Sequence, residues 1–182
     1  METGSHYIKD FFTSLDVTTN ELLQIISSAE ASTINRIPFK GSWTVAQLVE
    51  HVTKSNKAIS QALEMNGNNA LRNPEARVPE LKAMFLDFSS KFNSPEFIRP
   101  KKDIYEKDRL ITELRKSSNE LKELRSSSNL SDIISLPAFG EITKLELLHF
   151  VLYHTCRHVH QLKNILKQLK ETLYINMGNP PG

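Results

Sequence analysis

Four of the chain's six histidines fall between Phe139 and Leu162, at positions 149, 154, 158 and 160. Imidazole is the side chain best suited to hold a transition metal or to move a proton near neutral pH. An α-helix turns about 100° per residue, so spacing selects which of the four can act together. His154 and His158 stand one turn apart on a single face, and Gln161 returns to that face. His149 and His160 share a different line, on the far side. Two imidazoles at i and i+4 make half of a metal site, and a third ligand has to come from another element. His6 sits in the opening Met1-Glu-Thr-Gly-Ser-His6 and is given no weight, which leaves His51 as the candidate.

The elements that must position these residues read almost entirely as helix. Tyr7 to about Ser28 carries an apolar stripe of Ile8, Phe11, Phe12, Leu15, Leu22, Leu23, Ile25 and Ile26, weakest at Thr18 and Thr19. A turn around Ile37–Ser42 precedes a second helix, whose start carries two agreeing signals. Thr44-x-x-Gln47 is a capping box, and Trp43 with Leu48 has the spacing of a hydrophobic staple. That helix runs to about Met65 and places His51 two turns in, at the edge of its apolar stripe. After a loop at Pro74–Pro79 come a short helix from Glu80 to about Phe92, a proline-interrupted crossover at Ser94–Lys102, and a helix from Asp108 to about Arg125. Leu130–Gly140 leads into the last helix, which opens on a second capping box, Thr143-x-x-Glu146, with Ile142 and Leu147 as its staple. It is expected to reach about Leu169.

Four long helices and a short one predict an all-α four-helix bundle with long crossover loops, as a single domain over 1–182. The core is expected at about 7–170, with 171–182 a loose tail. Bundles build sites between facing helices, so His51 looks into or along the interior toward the last helix. The net charge of +2 is too small to argue for nucleic acid or an anionic membrane as partner. No stretch approaches a membrane span or the apolar core of a signal peptide. One cysteine leaves no internal disulfide framework, which fits a cytoplasmic location.

Trp43-Thr-Val-Ala-Gln-Leu-Val-Glu-His51 resembles the W-[ST]-x-x-x-[LV]-x-x-H segment of the DinB-like superfamily, which includes YfiT-type proteins. Phe139-Gly-Glu-Ile-Thr-x-x-Glu146, followed by His154-Thr-x-x-His158-x-x-Gln161-Leu162, is similar to the C-terminal signature of the same group. The resemblance implies a four-helix bundle with a facial site binding nickel, zinc or a similar divalent ion. In it His51 matches the ligand on the second helix, and His154 and His158 the two on the fourth. It also implies a small-molecule substrate. Characterised relatives include S-transferases that use a low-molecular-weight thiol (bacillithiol, mycothiol or glutathione) and a thiol-dependent isomerase. A homodimer is compatible with it. The chain departs from the pattern at Val159 and His160, where relatives often carry a second histidine or a small residue.

Such a site has a chemistry that follows from its donors. Three neutral imidazoles leave the charge of a divalent ion uncompensated and at least one position open to water, for hydrolysis, or to a thiol. All-nitrogen ligation suits Zn, Ni, Cu or Fe and argues against Ca or Mg. Gln47, Glu50 and Gln161 are candidate partners for the second ring nitrogens. Two classes of function stand: a metal-dependent thiol S-transferase or hydrolase, and a non-catalytic metal-containing binding or stress-response protein. His149 and His160 are read as bystanders, Cys156 as a small packing residue, and Trp43 as a staple and core anchor in preference to a substrate wall. Substrate contacts are expected from the loops Asn66–Pro79 and Asn93–Lys107.

Overall fold

The computed structural model describes residues 2–176. The side chains of His6, Tyr7 and Ile8 and the end of the expected tail, 177–182, lie outside the described residues. Five α-helices are present there: α1 (Glu2–Ser28), α2 (Val45–Glu64), α3 (Val78–Leu86), α4 (Lys107–Ser127) and α5 (Lys144–Asn176). The crossover between α3 and α4 holds a single 3-10 turn, Glu96–Ile98. α5 passes the expected end near Leu169 because no glycine or proline interrupts it before Gly178. α3 is shorter than expected, ending at Leu86, and Pro79 sits in its first turn, where a missing N–H costs nothing.

Both capping boxes are made. The Gln47 amide donates to Thr44 Oγ1 at 3.1 Å, and the Thr44 amide to Gln47 Oε1 at 3.1 Å. The Glu146 amide donates to Thr143 Oγ1 at 3.1 Å, and the Thr143 amide to Glu146 Oε2 at 2.9 Å. The second box is embedded in a buried network. Glu146 has no exposed surface and accepts two 2.7 Å bonds from the Arg72 guanidinium and a 2.8 Å bond from the Arg77 amide. Burial pushes the Glu146 carboxyl up, but these donors outweigh it and hold the group below its ordinary value.

Leu130–Gly140 is not a plain lead-in. It forms most of a small antiparallel sheet of β1 (Asn68–Asn69), β2 (Asp132–Leu136) and β3 (Gly140–Thr143), in the order β1-β2-β3. Ile134 pairs with Ile142, and both side chains are buried. Gly140, at φ +67°, turns the hairpin in a conformation that disfavours side chains.

Of the long helices consecutive in the chain, α2 and α4 pack together, whereas α1 and α2, and α4 and α5, do not sit side by side. α1 packs on α5 and α4, and α2 packs on α4 and α5, so α1 faces α2, and α4 faces α5, across diagonals. α3 lies on α5, and the 3-10 turn on α2. The apolar core forms two clusters, one around Leu63, Ile142 and Leu148, the other around Ile26, Leu48 and Leu162. Each long helix passes from one cluster to the other across a polar waist. On α2 the waist is made by His51 and by Thr53 to Asn56, and on α5 it spans His154 to His158. Ser117, fully buried on α4, accepts from Asn56 Nδ2 at 3.4 Å, and Thr18 on α1 lies 3.8 Å from Cys156 Sγ. The weak point in the α1 stripe is therefore its crossing of this waist.

Candidate metal centre

Capping fixes where α2 and α5 begin, and from those origins helical phase carries His51, His154 and His158 into the waist. All three are buried, and their ligating nitrogens lie within 4.8 Å of one another. His154 Nε2 is 3.2 Å from His51 Nε2 and 3.0 Å from His158 Nε2. For an ion ~2.1 Å from each nitrogen, neighbouring donors stand about 3.0 Å apart at right angles and about 3.4 Å apart in a tetrahedron. Both spacings to His154 fall in that interval.

The second ring nitrogens determine which atoms point inward. His51 Nδ1 lies 3.1 Å from the Ile98 carbonyl, which can only accept, so Nδ1 carries the proton and Nε2 presents its lone pair. His158 Nδ1 donates in the same way to Gln161 Oε1 at 3.1 Å. His154 Nε2 sits between two lone pairs, and a proton on it can serve only one of them. A cation shared by all three nitrogens relieves the repulsion, so the residues present fit a divalent ion of nitrogen-preferring type. Burial also keeps them neutral, joined at His154 and His158 by the neighbouring rings. It lowers His51, takes His154 well below its usual value, and holds His158 down to about 3.

The trio forms part of the wall of a cleft of about 870 Å³, within the usual range of ligand sites. The rings of Phe150 and Trp43 lie 4.9 Å from His154 and 5.1 Å from His51, respectively. Phe85 packs edge-on against Phe150 at 4.9 Å, extending the aromatic wall. Trp43 thus packs on the core as a staple must, and it also walls the cleft, the role the sequence reading had placed second.

Asn93 to Pro95 and Phe97 to Pro100 contribute to the cleft as the sequence suggested, but nothing between Asn66 and Pro79 does. That loop instead ties down the start of α5 through Arg72 and Arg77, and the Thr143 hydroxyl donates to the Pro74 carbonyl at 2.6 Å. Of the partners proposed for the rings, only Gln161 serves. Gln47 is occupied by its cap, and Glu50 pairs with Lys54 at 3.5 Å. The Ile98 carbonyl could not have been found from the sequence, since it is a backbone atom contributed from a distant loop. The segment from Phe85 to Phe92 was also missed, although its three phenylalanines were a visible signal.

The bystander histidines keep clear of the trio in different ways. His149 is buried, stacks on Phe11 at 3.9 Å and lies 3.4 Å from Glu75. His160 is not turned away from the cleft, as its phase suggested. Its ring stacks on Phe88 at 4.2 Å, at the cleft rim, and bonds Asn164 at 3.0 Å. Cys156 is half-buried on the other flank of α5, and burial pushes its thiol up, away from reactivity.

Residues 14–162, which include the three histidines, match the family model of the DinB superfamily. The chain belongs to the DinB superfamily. The match spans both of the segments that suggested it, from Trp43 to His51 and from Phe139 to Leu162. This DinB chain is 21% identical over 141 residues to the uncharacterized protein YuaE of Bacillus subtilis, covering 75% of the chain and 85% of YuaE. Among solved structures it is similar to TT2238, a four-helix bundle protein, with a TM-score of 0.57 and 16% identity over 86% of the chain and 98% of TT2238. It is also similar to YfiT from Bacillus subtilis, described as a probable metal-dependent hydrolase with an unusual four-helix bundle topology. That likeness has a TM-score of 0.55 and 15% identity over 94% of the chain and 88% of YfiT. At such identities the structural likeness is one of fold.

Proposed function

We propose that this DinB chain is a metal-dependent enzyme that holds one divalent ion, nickel or zinc, on His51, His154 and His158 and uses it to activate a nucleophile. The observation that carries the reading is the convergence of three Nε2 lone pairs, two of them aimed by acceptors at Nδ1, on the wall of an aromatic cleft. A divalent ion there would supply Lewis acidity, lowering the pKa of water or a thiol in its open position. The Ile98 carbonyl and Gln161 hold two of the rings in register and enrich them as donors. Phe150, Phe85 and Trp43 exclude bulk water and strengthen electrostatics within the cleft.

Hydrolysis is the leading reaction class, supported by the description given to YfiT. A second reading, transfer of a low-molecular-weight thiol, is favoured by one observation. No aspartate or glutamate lines the cleft among the described residues, so no carboxylate base assists the nucleophile. A thiol, with an ordinary pKa of ~8.5, needs far less help to ionise than water.

The test begins with metal analysis of purified wild type and His158→Ala, followed by ester-hydrolysis and thiol-conjugation screens on the zinc- and nickel-loaded protein. One ion per wild-type chain, none in the variant, and turnover lost with the ion is the expected result. Turnover surviving in metal-free protein would refute the reading. Full occupancy without turnover in any screen would leave a metal-containing binding protein.

A further inference from the structure

The cleft is unusual in what lines it. Seven of the nine phenylalanines and the single tryptophan border this one space. Several are not needed for packing: Phe39 is 54% exposed and Phe97 is 65% exposed, both at the mouth. Exposed large apolar side chains gathered in one concavity mark a surface kept for an apolar ligand.

The charges are equally one-sided. Lys91, Arg99 and Arg157 line the cleft, with no lining carboxylate among the described residues. The three cations are not equivalent. Arg99 pairs with Glu96 at 3.0 Å. Arg157 donates to the carbonyls of Phe85, Asp87 and Ser90 and lies 4.8 Å over the Phe92 ring, holding the α3 exit in place. Lys91 has no ion-pair partner among the described residues, and its charge is left for whatever enters. A divalent ion on three neutral imidazoles adds two further positive charges in a space of low polarity, where such charges act strongly.

We propose that the cleft selects aromatic anions: a flat ring system held among the phenylalanines, with one carboxylate or other oxyanion drawn by the metal and by the positive lining to which Lys91 belongs. The inference rests on the metal-centre reading given above and specifies its ligand class. Aromatic rings without charge lose the ionic partner, and small anions without a ring lose the apolar wall. The two recognition elements are therefore separable by experiment.

The experiment is calorimetric titration of the zinc-loaded protein with 2-naphthoate, 2-naphthamide, 2-naphthylmethylamine and acetate. 2-Naphthoate should bind at least about tenfold more tightly than each of the other three, since a charge-assisted contact and an apolar wall each contribute on that scale. Lys91→Glu should weaken 2-naphthoate several-fold while leaving 2-naphthamide unchanged. Phe97→Ala should weaken both naphthalene compounds and leave acetate unchanged. Both side chains are exposed, and circular dichroism checks that the variants fold. Equal affinity for 2-naphthamide, acetate or the amine overturns the proposal, as does no binding of 2-naphthoate to protein carrying one zinc, a result that leaves the metal reading intact. Failure of the wild type to take up zinc, nickel or another divalent ion overturns both.

Discussion

Replacing Glu146 with alanine tests how the histidine-bearing helix is anchored. The carboxylate is fully buried and receives four hydrogen bonds, two from Arg72 and one each from the amides of Thr143 and Arg77. Breaking a buried ion pair by removing one partner costs about 3–5 kcal/mol. Arg72 retains some solvent contact and can rehydrate, which favours the lower end, but the Thr143 amide is buried and loses its acceptor. Glu146→Ala should therefore lose about 3–4 kcal/mol, and Glu146→Gln, which keeps one amide acceptor, roughly half of that. Urea unfolding of metal-free protein measures both. The Glu146 carboxyl is held below its ordinary value, so its contribution is present above pH ~4.5 and fades as pH falls through the lower folded value. The gap between wild type and Glu146→Gln should close accordingly. Metal stoichiometry should survive in the folded fraction, because His154 and His158 lie two and three turns further along α5. A loss below about 1 kcal/mol, or a gap that widens in acid, would refute the view that this network fixes the helix.

Other outcomes follow from the same geometry. His160→Ala should keep wild-type metal content by elemental analysis, whereas His158→Ala should lose it with nearly unchanged helical content by circular dichroism. Gln161→Leu should weaken zinc affinity about 10–100-fold in a competition titration, since the His158 ring loses its acceptor. Thr143→Ala removes a cap and should cost about 0.5–2 kcal/mol in urea with the metal site intact. Metal-free protein should still unfold cooperatively, because two apolar clusters stand without the ion. Its stability should fall in acid. His158 is held down to about 3, so the unfolded chain takes up the proton first as pH drops through ~6.5. At pH ~5 that one group costs about 2 kcal/mol relative to pH 8, read from urea midpoints at the two pH values.

The bundle and the trio were legible because their signals are local and redundant. Each capping box set the origin of a helix, phase put His154 with His158 on one face, and His51 came by elimination and from the family resemblance. The β-hairpin escaped because Ile133 and Ile134 make too short a run to separate from a helical lead-in, and pairing with β3 depends on a partner eight to ten residues away. The cleft escaped for a related reason. Phe39, Phe85, Phe92, Phe97 and Phe150 come from widely separated stretches, and only the diagonal arrangement of the helices brings them together. His160 was phased correctly relative to its own helix, but phase says nothing of the loop carrying Phe88 that folds over it.

Among the described residues, the polar waist divides the interior into two separate apolar clusters. What joins them is mainly the backbone of the four long helices, each a rod running through both. Such an interior is a jointed one, and the joint lies where His51, His154 and His158 meet. An ion bound to both α2 and α5 would act as a rivet at that joint, tying two of the four rods together where the interior is polar. Occupancy of the site would then govern how freely the two halves flex against each other and how wide the cleft beside it stands. Loading the metal would then also shape the cavity.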